Sequence, residues 1–268
     1  MAAGLDISKR LNVDLILDCS RLGNPDNALR QYALEPFPLP ASVRVIRRSN
    51  GVKTLINKRF VNQIVNRIAR RHFVELQGGF DPKISQVKPG WTLDGYFQSL
   101  LYFQNCKSEI IEILRSCRIE ADESRRIDDL AKIAFTAVHV RRGDYTAPAV
   151  AAVHGLAGEK YFADALGYLK SKASLGRVLY FTDSPSIVIK ELGISLNDIV
   201  PNDLSETATL ALMSRAQNVI ASNSSFSWWA GLMAESIGNA SVVVPQPWFI
   251  NSTPKDLIPS SWVSINKF

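Results

Sequence analysis

The apolar run from Ile133 to Val140 stops abruptly at Arg141 and Arg142, two adjacent permanent cations followed by Gly143, Asp144 and Tyr145. Guanidinium forks match phosphate oxygens, and a glycine lets backbone approach a ligand closely, so the cluster suits an anion such as a diphosphate. A solvated turn is the plainer reading of the same pair. Two further clusters follow other apolar runs. Asp183, after Arg177-Val178-Leu179-Tyr180-Phe181, could accept hydrogen bonds from a base or ribose, or cap the helix that Pro185 begins. Asn223, Ser224, Ser225, Phe226 and Ser227 precede a helical stretch, where hydroxyls and free N–H groups make an anion site reinforced by the helix dipole. Capping alone needs one serine.

His139 reads either as a buried, hydrogen-bonded strand histidine or as a group helping to hold a nucleotide. His72 and His154 have no partners at ligand spacing and read as surface residues. Asp128 and Asp129 sit in a solvated charge run. No metal is therefore expected, with cationic side chains supplying the charge that a divalent ion supplies elsewhere. Trp228 and Trp229 read as packing that fixes a helix start. Tyr96, Phe97, Tyr102 and Phe103 read as core between domains, with a sugar-binding aromatic platform as the functional alternative.

The elements that must position these groups follow from the hydrophobic pattern. Residues 133–140, 177–181, 218–221 and 241–244 have the composition of buried strands, the last ending at Pro245. Helices follow at about 160–171, after Pro185 and after Trp229. Strand, loop and helix in repetition predict a parallel sheet with right-handed crossovers, whose ligands sit beyond the strand carboxyl ends. The first half is less regular. It reads as a helix over residues 2–11, strands at 13–17 and 43–46, and an irregular connection over 20–40. An Arg-rich helix over 58–72 and another helix over about 107–117 follow. Residues 118–132 are charge-rich, and the reading divides the chain into domains 1–128 and 129–268.

The net charge of +6 favours anionic partners, and the excess gathers in Arg44, Arg47, Arg48, Lys53, Lys58, Arg59, Arg67, Arg70 and Arg71. No groove-reading module accompanies those charges, so nucleic acid is not the expected partner. An anionic leaflet or lipid-linked ligand suits them better. The three cysteines lack any metal or disulfide spacing, and 46% hydrophobic residues suffice for sizeable cores. No signal peptide or uninterrupted span-length apolar run is visible, which predicts a cytoplasmic protein, peripheral at most to the inner face of a membrane.

His139-Val-Arg-Arg-Gly-Asp-Tyr145, Leu212-Met213-Ser214 and Asn223-Ser-Ser-Phe-Ser-Trp-Trp229 together closely resemble the bacterial alpha-1,2-fucosyltransferase family, glycosyltransferase family 11. Gly95-Tyr96-Phe97-Gln98-Ser99 and Val244-Pro245-Gln246-Pro247-Trp248-Phe249 resemble it too. The resemblance implies an α/β fold of GT-B type, two Rossmann-like domains with parallel sheets, an acceptor side in the first and GDP-sugar in the second. It implies metal-independent, inverting transfer of L-fucose from GDP-fucose to a galactoside hydroxyl, with no cofactor. Arg141 and Asp144 would carry catalysis, the first on the diphosphate and the second ordering its loop. His139, Arg142, Asp183, Thr209, Asn223, Ser224, Ser225, Phe226 and Ser227 would bind substrate. Two departures stand out. The family's opening strand and GGLGNQ-type loop are not found before Ala2, which reads as a start assigned downstream or as a remnant copy. Thr209 stands where relatives tend to carry an acid for guanine, which leaves another nucleotide sugar, or nucleotide or glycan binding without catalysis, as alternatives.

Overall fold

The computed structural model describes residues 1–19, 22, 32–47, 71–75 and 79–268. These divide into two units, Met1–Ser116 with Lys255–Leu257, and Cys117–Pro254 with Ile258–Phe268. Both are α/β with parallel pairing, the class that the sequence predicts. Residues 58–70 of the helix expected over 58–72 lie outside the described residues, as do most of the basic residues assigned to the first half, and His72 opens a strand instead.

The first unit opens on α1 (Ala2–Leu11), whose basic last turn suits the helix dipole and which Asn12 ends in the left-handed region. Strand β1 (Leu15–Asp18) pairs in parallel with β2 (Val43–Ile46). A second parallel pair joins β3 (His72–Val74) and β4 (Thr92–Asp94). Neither β3 nor β4 was expected, because three residues are too few to show a period. The Glu75 carboxylate accepts from the N–H groups of Tyr96 and Phe97, each at 2.7 Å, and holds the loop after β4. Tyr102 and Phe103 are buried, but Tyr96 is 76% exposed, which corrects its reading as core. Helix α2 (Lys107–Arg115) buries Ile110, Ile111, Ile113 and Leu114.

The second unit begins with α3 (Ala121–Leu130), which buries Ile127 and leaves Asp122, Arg125, Asp128 and Asp129 exposed, in keeping with the solvated charge run. Its charges are tied down: Arg126 pairs with Asp203 at 2.6 Å, Asp128 with Arg215 at 2.6 Å, and Glu123 accepts from the N–H and hydroxyl of Ser205. Strand β5 (Phe135–Val140) is buried throughout, two residues shorter than expected because Ile133 is exposed. Helices α4 (Pro148–His154) and α5 (Glu159–Lys172) lead to β6 (Arg177–Thr182), α6 (Pro185–Leu192), α7 (Glu206–Met213) and β7 (Asn218–Ile220). Helix α8 (Ser225–Gly238), β8 (Ser241–Gln246) and β9 (Val263–Asn266) complete the unit.

The five strands lie in the order β6-β5-β7-β8-β9, all parallel. In chain order this is 2-1-3-4-5, the doubly wound arrangement that reverses between its first and third strands. One face carries Val138, Val140, Tyr180, Ile220 and Val243 under α5. On the other, α8 approaches β8 so closely that a Cβ on Gly231 would lie 2.9 Å from Val242. Strand β8 continues through Pro245, contrary to expectation. Pairing with β7 ends at Val243, so the bond to β7 that proline cannot donate is not called for.

Tyr161 on α5 is fully buried, and its hydroxyl donates to the carbonyls of Ala221 at 2.6 Å and Val243 at 3.3 Å. It thus ties the end of β7 to the helix beneath. Tyr161→Phe should lower unfolding free energy by about 1–2 kcal/mol in chemical denaturation, with the slope unchanged. An unaltered midpoint would show that this tie contributes nothing.

Candidate functional site

A cleft of about 620 Å³ opens along the carboxyl ends of β6, β5 and β7. It lies at the reversal of strand order, where an open parallel sheet leaves room for a ligand. Alternation of side chains along β5 continues past the strand end and separates the two arginines. Arg141 lies toward the cleft with His139, whereas Arg142 turns inward and is 2% exposed. Arg142 donates to Glu191 at 2.6 Å, to its neighbour's carbonyl at Arg141 at 3.0 Å, and to the Ala157 carbonyl at 3.0 Å. Its side chain supports the loop and is absent from the cleft lining.

The loop hangs on Asp183. One oxygen accepts from the backbone N–H groups of Arg142 and Gly143, both at 3.0 Å, while the other meets the Arg141 guanidinium at 2.9 Å. Ser184, not Asp183, occupies the N-cap position of α6, so the capping reading of Asp183 is corrected. Gly143 is required there, since a Cβ would sit 2.6 Å from the Asp183 carboxylate. Asp144 accepts from Arg141 Nε at 3.1 Å and Nη2 at 2.7 Å. Two carboxylates therefore fix the guanidinium plane, and the ring of Tyr145 lies 5.8 Å beneath it.

The serine run divides in the same way. Ser224 caps α8 by accepting from the Phe226 N–H, and Ser224, Ser225 and Phe226 line the cleft. Ser227 is fully buried and donates to the carbonyls of Ser222 and Ser224. Asn223 is spent on the carbonyls of His154, Gly155 and Trp248. The excess of polar residues over what one cap needs thus goes mostly into holding the loop. The first N–H groups of α8 lack intrahelical carbonyl partners, which leaves this wall suited to an anion.

His139 is buried, 2.8 Å from Ser222 Oγ through Nδ1, with its ring 5.6 Å from that of Phe226. Burial, helped by the Arg141 charge, pushes its pKa down to about 4. It is a neutral group in the cleft wall. His154 is half-buried and stacks on Tyr145 at 4.7 Å, which corrects its reading as a surface residue; burial lowers its pKa as well.

Of the remaining wall, sequence reasoning named Thr209 and missed the rest. Phe181, Val200, Pro201 and Leu204 supply apolar surface, and Glu206 and Thr209 face the cleft from α7. For Glu206, its spacing of three from Thr209 on a helix that Ser205 caps was the available signal. The cleft is thus cationic at Arg141, with the α8 N-terminus beside it, and apolar with a carboxylate and a hydroxyl toward α7. Among the described residues no cluster of three or more His, Cys, Asp or Glu could hold a metal ion.

The sequence profile described as Glycosyl transferase family 11 matches residues 33–266. The chain belongs to that family. The family resemblance carried by residues 139–145 and 223–229 is borne out. Among similar proteins, an Alpha-1,2-colitosyltransferase of Escherichia coli is 32% identical over 184 residues, 65% of this chain and 62% of its own. The O-antigen biosynthesis glycosyltransferase WbnK of Escherichia coli is 27% identical over 192 residues, 67% of this chain and 62% of its own. This family 11 chain therefore spans about three fifths of the length of the curated relatives it matches. Solved structures of POFUT1 are also similar. The GDP complex has a TM-score of 0.35 at 13% identity, covering 76% of this chain and 80% of its own. The apo form has a TM-score of 0.38 at 11% identity, covering 90% and 92%.

Because His139 is neutral when folded down to about pH 4 and titrates near 6.5 when exposed, the unfolded chain binds the extra proton in that window. Stability is full above pH 6.5 and should fall as pH drops toward 4, by on the order of 3 kcal/mol from this group. Denaturation curves of the wild type and His139→Gln at pH 7 and pH 4.5 test this. The variant should lose less stability across the interval, and equal losses would remove His139 as the cause.

Proposed function

We propose that this family 11 glycosyltransferase chain is an inverting alpha-1,2-fucosyltransferase, moving L-fucose from GDP-fucose to a galactoside hydroxyl during synthesis of a surface glycan such as O-antigen. The observation that carries the reading is the Arg141 guanidinium, fixed between Asp144 and Asp183 beside the first turn of α8. Arg141 and Asp144 are assigned to catalysis on that geometry. Ser224, Ser225 and Phe226 line the phosphate and nucleoside side, with Asp183 and His139 in the adjoining wall. Arg142, Asn223 and Ser227 serve the donor through the loops that they hold. At the apolar end, Glu206 and Thr209 face the space for the base, and a carboxylate is the side chain that accepts from both N1–H and the 2-amino group of guanine.

In the reaction, the acceptor oxygen attacks the anomeric carbon from the side opposite GDP, its proton leaving to a base. The bond from that carbon to the β-phosphate oxygen breaks, and GDP departs with the electron pair. Arg141 and the α8 N–H groups would stabilise charge as it develops on the diphosphate, with no metal required. Fixed donors already oriented by carboxylates need little reorganisation when the charge appears. The acceptor is proposed to be a galactose-containing, lipid-linked glycan, reached from the cytoplasmic side by peripheral contact with the membrane. A GT-B arrangement of two domains suits such a reaction. The similar Alpha-1,2-colitosyltransferase favours a second reading, colitosyl transfer by the same chemistry.

Incubation with GDP-fucose or GDP-colitose and a panel of galactosides should release GDP with one donor, and Arg141→Ala should lower kcat/KM by about 100-fold or more. Wild-type GDP binding without turnover on any acceptor would replace the transferase reading with a nucleotide-binding one. Undiminished turnover in Arg141→Ala would overturn the assignment of that residue.

A further inference from the structure

The reaction as proposed does not use His154 or Lys267, yet both are built into the ground beneath Arg141. Lys267, the second-last residue, is fully buried. Its ammonium donates to the carbonyls of His154 at 2.7 Å, Phe249 at 3.2 Å and Trp248 at 3.3 Å. Asn223 Nδ2 grips two of the same carbonyls from another direction, His154 at 2.7 Å and Trp248 at 3.0 Å. The Ile250 N–H donates to Val153 at 3.0 Å and fastens the same two segments together. A buried ammonium is held in place only where hydrogen bonds replace its water, and here three carbonyls do so. Burial lowers its pKa to about 8.

What this clamp fixes is the end of α4, from which the His154 ring projects into a stack. Phe249 lies on one contact of that ring at 5.4 Å, and Tyr145 on another at 4.7 Å with planes inclined by 30°. The Tyr145 hydroxyl donates to the Asn223 carbonyl at 3.1 Å, so its ring is held at both the face and the tip. Arg141 lies over that ring at 5.8 Å. Among the described residues, His154 Nδ1 is buried without a hydrogen-bond partner, so what the ring offers Tyr145 is its face.

We infer that His154 is a positioning residue for Arg141: held from behind by Lys267 and Asn223, its ring sets the height of Tyr145 and so of the guanidinium above it. Lys267 is the anchor of that stack. The inference rests on the reading that Arg141 binds the donor diphosphate, and the test separates the two. GDP binding is measured by calorimetry at pH 7 on the full chain, with donor and acceptor KM measured beside it. Wild type should bind GDP and Arg141→Ala should not. If wild type does not bind, the donor reading itself fails. Given that result, His154→Leu should weaken GDP binding and raise donor KM about 10-fold with acceptor KM unchanged, while His154→Phe, which restores a ring, should bind within about 2-fold of wild type.

Lys267→Met should weaken GDP binding in the same way, and its effect should not add to that of His154→Leu, since both act through one stack. Should Lys267→Met fail to fold, the two His154 variants decide the matter alone, because the clamp bonds the backbone carbonyl that both retain. Unchanged GDP affinity in His154→Leu, or equal losses in His154→Leu and His154→Phe, would overturn the inference.

Discussion

The carboxylate of Asp183 is the contact on which the cleft depends. At the end of β5 the ladder runs out, and the N–H groups of Arg142 and Gly143 need acceptors that no strand supplies. Asp183 gives one oxygen to both and the other to the Arg141 guanidinium. A single side chain at the end of β6 thereby satisfies the backbone of the neighbouring loop and aims its cation. Charge-assisted bonds to backbone donors are among the stronger ones available, and they hold position without requiring a long side chain to be ordered. Gly143 follows from this contact, since any Cβ there would collide with the carboxylate.

The charge around Arg141 narrows what the site can bind. Among the described residues that line the cleft, Arg141 is the cation, while Asp144, Asp183 and Glu206 are acidic and His139 is neutral. A cleft so composed does not attract anions over its whole length. The surface suited to an anion is confined to the guanidinium and the start of α8, where the helix dipole adds to it. The opposite end offers apolar walls with acceptors. A ligand with a phosphate at one end and a flat, hydrogen-bond-donating ring at the other fits this polarity better than a uniformly charged polymer does.

Much of this was legible in the sequence because strand ends and glycines leave sharp marks. The boundary at Val140 and the parallel sheet follow from apolar runs meeting polar clusters, whereas the helix expected after Trp229 starts earlier, at Ser225, because Ser224 caps it. The division of labour within each cluster did not. Alternation along β5 decides that Arg141 faces the cleft and Arg142 does not, yet side-chain parity is informative only once the strand's last residue is known. Strands β3 and β4 were too short to show a period, and α3 buries a single residue, Ile127, behind a surface whose charges are engaged by Asp203, Arg215 and Ser205. His154 looked like a surface residue because nothing local in sequence reports a ring stack completed by residues 145 and 249.

Asn223 shows why a polar run next to a ligand site is not a count of ligand contacts. Its Nδ2 donates to three backbone carbonyls, and its backbone carbonyl receives the Tyr145 hydroxyl. Loops at strand ends carry many backbone groups that the sheet no longer satisfies, and those groups must be paired if they are buried. Short amides and hydroxyls do this locally, which is why they gather where a cleft is built. In this chain Asn223 and Ser227 bond the loop backbone, and Ser224 starts the helix. That leaves Ser225, Phe226 and the N–H groups of the first turn of α8 to face whatever the guanidinium holds. Ligand contact is the smaller share of the run, and the precision of that contact depends on the larger share.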